Sequence, residues 1–164
     1  MKKNVFLFAL AICLNTVFVS AQKNKDATIV WNYEVYCMGK GNTGTQFFKV
    51  YGFGKKADDA IHMCKKNAVH AVIFKGISTG EDGCRKNPIV TESGAEQKHA
   101  EYFKAFFADG GKYLSYVNLS GDGTVDPNDR LKVGKDYKIG IGVVVDSDRL
   151  KRELEDAGVV RKGF

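Results

Sequence analysis

The 164-residue sequence predicts an α+β fold, three helices on a mainly antiparallel sheet of about five strands in the order β-β-α-β-α-β-β-α. Three observations carry it. Two alternating, aromatic-rich runs are joined by glycine-rich turn material. A stripe of small apolar residues at helical spacing follows them. Near the end, a strong apolar strand runs directly into a Leu-x-x-x-Leu helix.

The elements follow in chain order. In Ile29 to Met38 the residues Ile29, Trp31, Tyr33, Val35 and Cys37 share one parity, as a strand with one apolar face requires. Gly39 to Gly44 is a turn, and Phe47 to Phe53 is a second strand, so the two are expected to pair as a hairpin. Ala57, Ala60, Ile61, Cys64 and Ala68 form one stripe of a helix whose wet side holds Lys55, Lys56, Asp58, Asp59, Lys65 and Lys66. Ala68 to Lys75 has the composition of a buried third strand, and Gly76 to Thr91 is a long loop. A second helix is expected from about Ser93, with Ala95, His99, Tyr102, Phe103 and Phe106 on its apolar face and Gly110-Gly111 at its end. Tyr113 to Val117 is a short strand, Leu119 to Lys135 a polar loop and Tyr137 to Val145 the last strand. Ser147 then caps a closing helix with Leu150 and Leu154.

The first residues predict export. Lys2 and Lys3 precede an unbroken apolar run, Val5 to Leu14, and Val17 to Ala21 suits a signal peptidase cutting before Gln22. The run is shorter than the ~20 residues a membrane span needs. Ile12 is too bulky to precede a lipidated Cys13. The expected organisation is a signal peptide, 1–21, and one exported domain, 22–164, with no transmembrane segment in the mature chain and a periplasmic or secreted destination. Removing Lys2 and Lys3 takes the net charge from +6 to +4, with no basic run of the kind that marks nucleic-acid binding.

Three cysteines remain in the mature chain, Cys37, Cys64 and Cys84, and an oxidising compartment permits one bond among them. Cys37 and Cys64 are expected to face each other across a helix–sheet contact of ~10 Å, whereas a bridge needs Cα atoms within about 7 Å. Cys84, on the long loop, can reach Cys64 near the end of its helix. A Cys64–Cys84 bond with Cys37 free is therefore expected.

Gly39, Gly41 and Gly44 spell G-x-G-x-x-G after a strand, but a strand rather than a helix follows, so the segment is a hairpin turn rather than a dinucleotide site. His62, His70 and His99 show no metal-ligand spacing with each other or with the cysteines. The most specific local pattern is Asn118 to Asp129, which resembles the calcium loops of EF-hands and dockerin repeats. Asn118, Ser120 and Asp122 occupy the first, third and fifth ligand positions, Gly123 the turn, Thr124 the carbonyl position, and Asp126 and Asp129 the ninth and twelfth. Asn118 stands where Asp is usual, and Gly134 cuts short the following helix. The loop is either a polar connection or a weak calcium site, calcium being the one cofactor the sequence suggests.

Ala57 to Phe74 after a glycine-rich hairpin, together with the strand, cap and Leu-x-x-x-Leu helix of Ile139 to Leu154, resembles the small envelope domains of flagellar assembly protein T (its N-terminal domain), related surface lipoproteins and many secreted proteins of diderm bacteria. The resemblance implies a scaffold or interaction role without catalytic residues. The functional expectation is a non-catalytic secreted or envelope-associated binding or assembly module with a protein or glycan partner. The alternative is a small hydrolase or enzyme accessory protein using carboxylates such as Glu81, Asp122 and Asp126.

Overall fold

A computed structural model describes residues 31–162 of the chain. The expected signal segment, Ile29 and Val30 lie outside the described residues. Strands β1 (Val35–Lys40) and β2 (Thr45–Gly54) form the expected hairpin, with Gly39 and Gly44 at positive φ in or beside the turn. β5 (Asp136–Asp146) lies antiparallel to β2 over its whole length, from Thr45↔Asp146 to Gly54↔Tyr137. The other edge of β5 is shared by β3 (Val117–Leu119) and β4 (Arg130–Val133), which completes a five-stranded antiparallel sheet.

Alternation sets the two faces of this sheet. Gln46, Phe48 and Val50 of β2 and Ile139, Ile141, Val143 and Val145 of β5 point inward and are buried. They meet helix α1 (Ala57–His70), whose small residues Ala60, Cys64 and Ala68 are fully buried against the sheet. Gly52 makes the approach possible: a Cβ there would sit 2.7 Å from the Ala60 carbonyl oxygen and 2.9 Å from the Cys64 nitrogen. Asp58 and Asp59 in the first turn suit the helix dipole, and Asp59 accepts a hydrogen bond from the Lys56 N–H.

Five expectations need correction. Ala68 to Lys75 is no strand. The helix runs through it, ending in a π turn over Ala71–Lys75. A uniformly apolar run fits either element, and here the helix is enclosed all round. Beyond the sheet side, His70 and Phe74 meet Trp31, Phe103 and Phe107, and the Val72 and Ile73 carbonyls accept from Ile89 and Val90. The second helix is broken at His99 into α2 (Ala95–Lys98) and α3 (Ala100–Phe106). Lys112–Tyr116 is a 3-10 turn, so the strand begins only at Val117, and the supposed polar loop contains β4. Ser147 does not cap α4 (Ser147–Asp156). Asp146 does, accepting from the Arg149 N–H at 3.0 Å, while Ser147 is buried and accepts from Gln46.

The disulfide is also corrected. The bond joins Cys37 and Cys84, with Cα atoms 5.9 Å apart, and Cys64 is the free, buried thiol. The longer helix is the reason. From Cys64 to Lys75 the chain climbs roughly 15 Å at helical rise, so the following loop starts far from Cys64. That loop instead runs along the edge of β1, where the Cys37 N–H donates to the Thr79 carbonyl and the Glu81 N–H to the Cys37 carbonyl.

Candidate functional site

The outward face of the sheet is the surface that no described helix crosses. Tyr36, Phe47, Lys49, Tyr51 and Phe53 project from β1 and β2, and Lys138, Gly140, Gly142 and Val144 lie on β5 in register with β2. The large hydrophobic side chains exposed among the described residues are Tyr36, Met38, Leu131 and Val133. All four belong to this face: Tyr36 and Met38 at the β1 side, Leu131 and Val133 on β4 beyond β5.

A groove of about 280 Å³ crosses the middle of the face. Met38 and Phe47 form its apolar side, Gly140 and Gly142 lie along its floor, and Ser120, Thr124, Asp126, Asp129 and Lys49 supply polar groups. The glycines have a local role as well. The Tyr51 ring lies over Gly140 and the Ser120 side chain over Gly142, in the space a Cβ would fill.

Charge is fixed at one end of the groove. Lys49 Nζ pairs with Asp129 Oδ2 at 2.6 Å, and the Tyr51 hydroxyl donates to Asp129 Oδ1 at 2.8 Å. Burial pushes the Asp129 carboxyl up, but these two hydrogen bonds outweigh it and hold the group below the usual carboxylate range. The hydrogen bond to Asp129 raises the Lys49 ammonium in turn. Lys138 Nζ lies 4.8 Å from the Tyr51 ring centre and pairs with Glu34 at 2.9 Å.

Of the six residues expected to ligate calcium, the structure brings Ser120, Thr124, Asp126 and Asp129 to this groove. Asn118 is exposed on β3 opposite Val144, and Asp122 is exposed, accepting from the Thr124 N–H at 2.9 Å. Asp126 accepts from the Asn128 N–H at 2.8 Å, while Asp129 is committed to Lys49 and Tyr51. Two side-chain-to-backbone turns thus shape the loop. Among the described residues no group of three or more His, Cys, Asp or Glu is placed to hold a metal ion. The sequence marked the polar loop but not its partners, because Lys49 and Tyr51 come from a strand about eighty residues earlier.

The remaining candidates are dispersed. Glu81 lies in the loop over the outer edge of β1, with β1 and β2 between it and the Asp122–Asp126 segment beside β5. His62 is exposed on α1, and His99 lies at the break between α2 and α3. His70, expected in a strand, is buried in the last turn of α1. The Tyr33 hydroxyl meets its Nδ1 at 2.6 Å, Trp31 stacks on the ring at 3.8 Å between centres, and Glu96 Oε1 lies 3.6 Å from Nε2. Sequence reasoning missed this cluster because its members are scattered from residue 31 to residue 96. It fastens the segment preceding β1 to the helix, with the His70 ring enclosed between aromatic neighbours. Compared with known families, curated proteins and solved structures, the chain finds no match in any of the three.

Proposed function

We propose that the chain is a non-catalytic, exported binding module of the cell envelope or its surroundings, and that its partner docks on the uncovered sheet face at the Met38–Asp129 groove. One observation carries the reading: among the described residues, the exposed large apolar side chains all gather on the sheet face that no described helix covers. The groove adds chemistry to that surface. Its hydroxyls, carboxylates and lysine are the groups that bond sugar hydroxyls, and Met38 and Phe47 offer an apolar wall to the face of a sugar ring. A glycan is therefore the occupant that fits the groove, and a protein partner would read the wider face. An assembly role of the kind implied by the likeness to the flagellar assembly protein T domain goes with either.

The test uses exposed positions, so that the fold is untouched. Met38→Glu and Thr124→Lys both alter the groove, and Arg152→Glu on α4 serves as a surface control. Binding to immobilised envelope glycans, and capture from envelope extract, should fall by at least tenfold for the two groove variants and stay at the wild-type level for the control. Groove variants that bind as well as wild type would move the site elsewhere.

A further inference from the structure

We propose that the end of the β4–β5 hairpin is a docking surface for an anionic lipid bilayer. This goes beyond the groove reading and does not rest on it. All four residues of β4 are exposed, so the strand projects from the body and offers no concavity to enclose a small ligand. Leu131 and Val133 are 50% and 52% exposed and share one face through their pairing with Lys138 and Asp136. Arg130 and Lys132 alternate with them on the other face, and Gly134, at φ +62°, turns the chain into Lys135.

The charge of this end complements an anionic surface. From Arg130 to Lys138 the chain carries Arg130, Lys132, Lys135 and Lys138 against Asp136 alone, a net of +3. Lys138 is paired with Glu34 and Arg130 lies over the Tyr137 ring, whereas Lys132 and Lys135 make no ion pair among the described residues. Exposed Lys55 and Lys56 follow Gly54, which pairs with Tyr137, so they flank the same end of the sheet. The first-turn acids of α1 lie near them, and Asp59 is turned to the Lys56 N–H.

Two aliphatic tips ringed by unpaired lysines match a bilayer interface. The apolar groups enter between headgroups while the ammonium groups stay level with the phosphates. Each lysine at such a surface strengthens binding several-fold, and salt screens that contribution. Attachment of this kind is peripheral, and no helix among the described residues is long and apolar enough to cross a membrane.

Vesicle flotation tests the proposal with the chain from Gln22. That chain keeps the compact unit Trp31–Phe164 and lacks the Val5–Leu14 run, which would enter lipid by itself. The protein should float with phosphatidylglycerol–phosphatidylethanolamine vesicles and not with phosphatidylcholine, and high salt should release it. L131N/V133N and K132E/K135E should each lower the bound fraction at least tenfold with an unchanged melting temperature, while K86E/R152E, of equal charge change, should float like wild type. Wild-type protein that ignores anionic vesicles, or an L131N/V133N variant that floats undiminished, overturns the proposal. So does binding to soluble dextran sulfate that depends on Lys132 and Lys135 but not on Leu131 and Val133, which would assign an acidic polymer instead.

Discussion

Burial takes the His70 imidazole out of water, and this, with Lys75 nearby, pulls its pKa from 6.5 down to about 4. Glu96, 3.6 Å from Nε2, favours the charged form, but a carboxylate beyond hydrogen-bond range does not outweigh the burial. Tyr33, itself raised by burial and by Glu96, stays protonated, and its hydroxyl shares a hydrogen bond with Nδ1. The folded protein thus binds a proton at His70 less readily than the unfolded chain does. Stability is unaffected above about pH 6.5 and falls as the pH drops from there toward 4. The full shift corresponds to about 3 kcal/mol. His70→Gln removes the titration and keeps a polar group for Tyr33. Urea unfolding at a series of pH values should show the wild type losing stability through that window and the variant following a flatter curve. Parallel curves would mean that His70 is not the group responsible. Cys64 is set the same way: burial pushes its thiol up to about 12, and Sγ donates to the Ile139 carbonyl, which makes it an inert core residue.

Among the elements, those with one wet face were legible in the sequence. β2, β5, α4 and the first turns of α1 show their periods because each buries only one side. The C-terminal half of α1 was hidden because it is buried all round, and β4 because it is exposed on both faces. The first leaves no alternation to detect, and the polar–apolar alternation of the second, Arg130 to Val133, is only four residues long. The disulfide was misassigned as a consequence of the first of these errors. In its actual place it fastens the loop Thr79–Cys84 over the free edge of β1, an edge that would otherwise present unpaired backbone groups. Gly80, at φ +97°, lies against the Cys37 backbone, where a side chain would collide. Closing a loop with a sequence separation of 47 stabilises the fold by about 4 kcal/mol in the chain-entropy picture. Reduction should therefore lower the unfolding midpoint and free the loop first. Limited trypsin digestion of the reduced protein should cut after Arg85 or Lys86 before any other site, and the oxidised protein should resist. Identical cleavage patterns would show that the loop is held by its backbone hydrogen bonds alone.

At the scale of the whole molecule, the bond and the leader argue for the same compartment. A disulfide that holds a sheet edge is favoured where thiols are oxidised, and the first residues have the composition of a signal peptide cut before Gln22. The described residues begin at Trp31, whose ring stacks on His70, nine positions beyond the expected cut. Cleavage would therefore leave every described contact in place. Two readouts follow when the full chain is expressed in a diderm bacterial host and recovered from the periplasm or medium. Its N-terminal residue should be Gln22. After unfolding without reductant, alkylation should label one thiol, Cys64, since Cys13 leaves with the signal and Cys37 is bonded to Cys84. An intact Met1 would sink the export reading, and a lipid on Cys13 would replace it with membrane anchoring. Labelling of Cys37 and Cys84 in protein that does begin at Gln22 would keep export and reject the bond.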